Sequence, residues 1–305
     1  MNLLSILFMK ILVFGHSVID KINYGKGEIS KPGGIFYTIA ALASIADSSD
    51  DIYVCTTIDK VNEKLFSPAF KRIKPNYISY STNIPTVQLN IYDNKERDEK
   101  YENVSGNLQF NISDLNRFDG IMINMITGFD ITLAQLKEMR KNYNGIIYFD
   151  VHTFSRGLDS EMKRNFRWIK DFKEWAKCVD IIQCNELEVK TLSSKTAEEE
   201  IARELISYGV KQIIVTRGNK GSKVYFSKHI FLTSEEIPAL DVKPVNKVGC
   251  GDVFGAVYFY NYIRNENLIE ALTLANIAAG TSTAYSDIND YLNLKADVFA
   301  RYNKA

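Results

Sequence analysis

Cysteine is scarce and unpatterned in this chain. The four in 305 residues, Cys55, Cys178, Cys184 and Cys250, form no C-x-x-C pair. That argues against a disulfide framework or a thiolate zinc site and fits reduced thiols in a cytoplasmic setting. Histidine is scarcer, with three residues far apart, so an imidazole metal cluster has no sequence support. Neither sign of charge is in excess: 37 Lys and Arg stand against 37 Asp and Glu. No broad basic face is therefore expected for nucleic acid or an anionic membrane surface. No apolar run approaches the roughly 20 residues that span a bilayer. The stretch from Asn2 to Phe8 is apolar but short, with no basic start and no small-residue cleavage site. It runs into Ile11–Phe14 and is expected to lead into a buried first strand rather than act as a secretory leader. Either Met1 or Met9 suits the natural start. Two common phosphate signatures are missing as well. There is no G-x-x-x-x-G-K-[ST], and Phe254 stands where G-x-G-x-x-G would need its third glycine.

Apolar residues make up 46% of the chain, enough for the core of one large α/β domain with a small subdomain. From Asp119 onward the pattern is regular. Strands are expected at 120–123, 146–150, 179–184, 213–216 and 223–226. Helices are expected at 133–143, 165–176, 197–208 and 268–284. Apolar strands alternating with helices imply βαβ units and a parallel sheet. Earlier, Lys10–Gly15 and Asp51–Thr57 read as strands, and 35–46 and 59–73 as helices, the latter interrupted near Pro68. Residues 22–31, 86–92 and 97–103 are extended and polar, with a turn at 93–96.

One stretch concentrates the chemistry. In Gly249-Cys250-Gly251-Asp252 two glycines flank a small residue and an aspartate follows. Val253, Ala256, Val257 and Tyr260 then fall on one helical face. A tight glycine loop opening into a helix can aim several N–H groups at one anion. Asp252 sets a carboxylate beside it, where an alcohol could lose its proton. An anion hole and a base are what phosphoryl transfer to an alcohol needs. An ordinary cap would use the same residues.

Other positions join this pattern, each with a plain alternative. Asp20 follows the first strand, near the edge where open α/β sheets bind ligands; it also reads as a loop carboxylate. Gly33-Gly34 before a helix lets a ligand approach the backbone. Asn185 and Glu188 share one turn after a strand. They suit Mg²⁺ held largely through water, or simply a capping pair. Asp150-Val151-His152 ends another strand, with His152 read as packed or hydrogen-bonded rather than metal-binding. Thr216, Gly218 and Gly221 fit a hairpin turn.

Taken together, these segments resemble the ribokinase-like (PfkB) carbohydrate kinases over roughly residues 10–290. Gly249–Asp252 is similar to the family's G-A-G-D, with Cys250 for alanine. Gly33-Gly34, Asn185/Glu188 and Thr216/Gly218/Gly221 resemble its other motifs in the same order. The resemblance implies one domain over 1–305. Its fold class is α/β, a three-layer sandwich with a mostly parallel central sheet and a small β-sheet lid from about 18–32 and 84–105. It implies an ATP- and Mg²⁺-dependent kinase acting on a hydroxyl of a sugar or sugar-like molecule. Asp252 would be the base, and the Gly249, Cys250 and Gly251 amides the anion hole. Thr216, Gly218, Gly221 and Asn276 would face the nucleotide, and Asp20, Gly33, Gly34, Thr38 and Arg97 the substrate. Thr38 stands where relatives often carry asparagine, which opens the choice of substrate. A nucleoside or cyclitol kinase, or a binding relative without turnover, remains an alternative. Asn246-Lys247 replaces the usual D-T, so weak or no dependence on a monovalent cation is expected. The lid could pair edge to edge in a homodimer.

Overall fold

The computed structural model describes residues 8–23, 27–90 and 98–303. The strands in chain order are β1 (Lys10–Phe14), β2 (Ser17–Asn23), β3 (Glu28–Gly34), β4 (Asp51–Asp59), β5 (Ile78–Ser81), β6 (Thr86–Asn90), β7 (Asp98–Asn103), β8 (Gly120–Asn124), β9 (Ile146–Asp150), β10 (Arg156–Leu158), β11 (Arg164–Phe166), β12 (Ile181–Asn185), β13 (Gln212–Thr216), β14 (Ser222–Lys228) and β15 (Phe231–Ile237). The helices are α1 (Phe36–Ile45), α2 (Glu63–Phe70), α3 (Leu133–Asn142), α4 (Phe172–Ala176), α5 (Glu198–Ser207), α6 (Cys250–Asn265), α7 (Leu268–Thr283) and α8 (Leu294–Tyr302).

Nine strands form the main sheet in the order β15-β14-β13-β12-β9-β8-β1-β4-β5. All neighbours are parallel except β13–β14 and β14–β15. Both faces of its centre are apolar, as a parallel sheet between two helix layers requires. In β1, Ile11 and Val13 join the cluster with α1, α6, α7 and α8, while Leu12 and Phe14 join the one with α3, α4 and α5. This is the two-residue period of a strand read out as two cores. Thr132 and Gln135 cap α3 reciprocally, which accounts for its start. Among the described residues no helix is long and apolar enough to cross a membrane.

The lid is a four-stranded sheet in the order β3-β2-β6-β7. Its inward face carries Val18, Val87, Leu89 and Tyr101. One edge of the lid is engaged within the chain. The hairpin β10–β11 lies along β7, where Tyr101 N–H donates to the Met162 carbonyl at 2.9 Å. Arg156 Nη1 meets Glu99 Oε1 at 2.6 Å, both side chains buried. Arg164 lies 4.6 Å over the Tyr101 ring and donates to the Thr127 carbonyl. The edge left open among the described strands is β3.

Three expectations need correction. The helix expected at 165–176 is only Phe172–Ala176, and 164–166 is strand β11. The pull on Arg156 and Arg164 from the lid favours the hairpin over the local helical period. The helix expected at 59–73 contracts to Glu63–Phe70, because Asp59 ends β4 and accepts from Asn62 N at 2.7 Å. Asp20 lies inside β2, facing Lys31 and Val87 across the ladder, not in a loop beyond β1.

Candidate active site

The start of α6 is set by sterics. Gly249 has φ +80°, and a Cβ there would fall 2.2 Å from Cγ of Tyr37. Only glycine satisfies both conditions. The first intrahelical bond is Val253 N–H to the Gly249 carbonyl, at 3.0 Å. The amides of Cys250, Gly251 and Asp252 therefore lie in the turn that has no intrahelical acceptor. The loop before it is pinned. Val245 and Asn246 N–H donate to the Thr283 carbonyl at 2.7 and 2.9 Å, and Asn246 Oδ1 accepts from Val248 N–H at 3.0 Å. Below, Gln183 Nε2 donates to the Gly251 carbonyl at 3.0 Å. Tyr148 donates to Gln183 Oε1. A Cβ on Gly255 would come within 2.8 Å of that same oxygen, so Gly255 lets the helix settle on the sheet.

This helix start separates two cavities. The first lies under the lid and has about 40 Å³ of free space. Gly249 and Asp252 line it, with Asp20, Gly34, Tyr37, Glu99, Tyr101 and His152. The second, about 620 Å³, lies on the other side. Cys250 and Gly251 line it, with Lys247, Thr216, Gly218, Gly221 and Asn276. Ala239, Leu240, Val242, Pro244, Phe254 and Ala279 give it apolar walls. The four consecutive residues of the motif are thus shared between two chambers.

In the first cavity, Asp252 is buried at 6% exposure. Asn124 Nδ2 lies 3.4 Å from its Oδ1 and 3.0 Å from Thr38 Oγ1. Thr38 is fully buried on that bond and is not among the lining residues, so α1 contributes Tyr37 to the wall instead. Gly33 serves the Asp20 carboxylate: a Cβ there would come within 2.1 Å of it. Gly34 has φ +61°, and a Cβ would stand 2.4 Å from the His16 carbonyl. His152 Nδ1 lies 2.7 Å from Thr153 Oγ1. Arg97 falls outside the described residues.

In the second cavity, Gly221 has φ +93°, and a Cβ would stand 2.0 Å from the Ile237 carbonyl. Asn276 Nδ2 donates to Ser222 Oγ at 2.6 Å and to the Leu272 carbonyl at 2.9 Å. Asn185 and Glu188 line neither cavity and cap each other. Glu188 Oε2 accepts from Asn185 N–H at 2.9 Å, and Asn185 Oδ1 accepts from Leu187 and Glu188 N–H, both at 2.9 Å. The expected helix after them is a single 3₁₀ turn, Val189–Thr191.

A third carboxylate belongs with Asp252 and Glu188. Asp150, at the end of β9, has its carboxyl pushed well above the usual range by burial, with the charges of Asp252 and Glu188 adding to the effect. Among the described residues no group of three His, Cys, Asp or Glu can cage a metal directly. The donor set would suit a hydrated Mg²⁺ carried by phosphates, since its charge would relieve the repulsion that an ionised Asp150 meets from Asp252 and Glu188. Asp150 was singled out from the sequence only as a strand end, and Asn124 and Gln183 were not assigned as site residues at all. Their signal is a polar side chain closing or interrupting an otherwise apolar strand.

Residues 157–292 match the model of the pfkB family carbohydrate kinases. The chain is similar to the cytidine kinase of Thermococcus kodakarensis, 32% identical over 105 residues, which is 33% of this chain and 36% of that protein. It is similar to the ribokinase of Lactococcus lactis, 34% identical over 104 residues, 34% of this chain and 32% of that protein. The matches span about a third of the length of these curated relatives. The fold is similar to that of Arabidopsis thaliana ribokinase complexed with ribose and ATP. The TM-score is 0.72 at 16% identity, covering 96% of this chain and 97% of that one.

Proposed function

We propose, from the match of residues 157–292 to the pfkB family model and the ribokinase-like fold, that this chain is a ribokinase-like carbohydrate kinase that transfers the γ-phosphoryl group of ATP to a hydroxyl of a sugar or sugar-like molecule. The observation that carries this is the division of one helix start between two cavities. The acceptor would lie under the lid, with a hydroxymethyl oxygen at Asp252. Asp20 and the Gly33-Gly34 backbone orient it. ATP would lie in the larger cavity. Its apolar walls suit a nucleotide base, which a bare phosphate donor would leave uncovered. Thr216, Gly218, Gly221 and Asn276 line the wall on the nucleotide side. Lys247 faces the same space and would offer its ammonium to the phosphates.

In the reaction the acceptor oxygen forms a bond to the γ-phosphorus as the bond to the β–γ bridging oxygen breaks, releasing ADP. The acceptor proton passes to Asp252. Transfer late in a loose transition state asks little basicity of that carboxylate. The amides of Cys250 and Gly251, at the positive end of α6, stabilise charge on the group in transit. Bound Mg²⁺, oriented through water by Asn185 and Glu188, would supply charge neutralisation on the phosphates.

A nucleoside acceptor is a second reading. The cytidine kinase similarity and the Tyr37 ring in the cavity wall favour it. The test is an ADP-release assay with Mg-ATP and a panel of D-ribose, D-fructose, cytidine and myo-inositol. ADP formation dependent on one acceptor supports the proposal and names the substrate class. No release with any panel member, despite measurable ATP binding, would favour a binding protein without turnover.

A further inference from the structure

The chain passes between main sheet and lid at four places: residues 15–16, 35, 82–85 and 104–111. His16 stands in the first and touches two of the others. Its carbonyl accepts from Ile35 N–H at 3.0 Å. Its ring Nε2 lies 3.0 Å from the Gly106 carbonyl, on the return from β7. Its Nδ1 lies 2.8 Å from Asp130 Oδ1, and its backbone N–H donates to the same oxygen at 2.9 Å. The ring and the carboxylate are both buried.

These partners decide the protonation state. The Gly106 carbonyl can only accept, so Nε2 must donate. Asp130 also accepts from Thr127 N, Thr127 Oγ1 and Gly128 N at 2.9, 3.1 and 3.1 Å, as an ionised carboxylate does. The Thr127 hydroxyl lies 3.1 Å from Nδ1, but its proton serves Asp130. Nδ1 therefore donates too, and the ring is an imidazolium. Asp130 is the charge that acts on it. Arg164 of β11 reaches the same loop through the Thr127 carbonyl, and Asp20 lies farther along β2.

We propose that His16 is a positioning residue: as an imidazolium it clasps the outgoing and returning lid connections onto Asp130, holding Asp20 over the acceptor cavity, and loss of its proton loosens the lid. Burial alone would lower the pKa of His16, but the charge and hydrogen bond of Asp130 raise it above the ordinary value. A raised folded-state pKa sets the sign. The stabilisation is fully present below the ordinary histidine pKa and is lost as pH rises through the folded value. The kinetic consequence rests on the kinase reading, but the clasp itself does not.

The test begins with NMR titration of the histidine imidazoles in the whole protein, each ring assigned by through-bond correlation to its own backbone resonances. His16 should titrate above the ordinary value of about 6.5. Amide exchange in residues 17–23 and 86–90, corrected for the intrinsic pH effect, should accelerate several-fold through that transition while residues 146–150 do not change. Asp130→Asn should move the transition to lower pH. With whichever of D-ribose or cytidine is phosphorylated, the acceptor KM should rise several-fold over the same interval and the ATP KM should not. A His16 that titrates at or below the ordinary value, or lid exchange indifferent to its titration, overturns the clasp. Both measurements are made on the parent protein, so they decide even where a variant fails to fold. A silent acceptor panel would leave these readouts intact, and a failed clasp would leave the kinase assay standing.

Discussion

The two cavities beside the start of α6 are built by different means. On the proposed reading, the donor side is walled by the end of β13, the loops at 218–221 and 239–247, α6 and α7, and offers about 620 Å³. The acceptor side is roofed by a second sheet and keeps about 40 Å³. A single buried water needs on the order of 10–15 Å³ on such a measure, so the acceptor side admits a few waters and no sugar. If the proposed division holds, ATP would enter a standing site, whereas the acceptor would have to displace the lid. Lid movement would then belong to one substrate only, and the residues shared at the helix start to the chemical step.

The strongest challenge to that division is Asp252→Asn. Asparagine caps a helix nearly as well as aspartate, so stability should change by less than about 1 kcal/mol. Turnover should fall by about 10²-fold or more, with both KM values within a few-fold. A stable variant of near-normal turnover would remove Asp252 from the mechanism. Next come two glycines, one per cavity. Gly221→Ala drives a Cβ into the Ile237 carbonyl, and Gly33→Ala drives one into the Asp20 carboxylate. Each should raise one KM by about tenfold, equivalent to ~1.4 kcal/mol, and spare the other. The first should affect ATP and the second the acceptor; equal effects on both would collapse the division.

Glu188→Gln should raise the Mg²⁺ concentration needed for half-maximal rate and lower turnover several-fold, with acceptor binding by calorimetry unchanged. Identical rates at every Mg²⁺ concentration would return Glu188 to a capping role alone. Amide exchange in 86–90 and 98–103 should slow with acceptor and hardly with ATP. Slow exchange in the free protein would mean that the Arg156 and Arg164 straps hold the lid shut. The smallest effect concerns monovalent cations. With Asn246 and Lys247 before the glycine loop, rates in K⁺ and Na⁺ at equal ionic strength should agree, and a strong K⁺ preference would contradict that.

The alternating core was legible because a buried parallel strand has to be apolar on both faces. Ile121-Met122-Ile123 and Ile181-Ile182 carry that mark with no help from context. The helix at 165–176 was misread because Arg156 and Arg164 are held by Glu99 and by the Thr127 carbonyl, partners far away in sequence. Asp20 was misplaced for a similar reason, since a buried strand interrupted by Ser17, Asp20 and Lys21 lacks the continuous apolar signature. Asn124 and Gln183 stayed hidden because a single polar residue in a strand announces burial against something without saying what.

The order of motifs was written in local chemistry. Gly249, Gly33, Gly34 and Gly221 each lie where a backbone turns or closely approaches another group, and such needs leave glycine at fixed places in the chain. The pairing of Gly249 with Asp252 in one cavity and Cys250 with Gly251 in the other was decided only by tertiary structure. So were the engagement of the lid edge by β10–β11 and the junction of two lid connections at His16. Local sequence constrains φ, capping and period, which act over a few residues. Which carboxylate meets which histidine 114 positions away is decided when the sheet brings strand ends together.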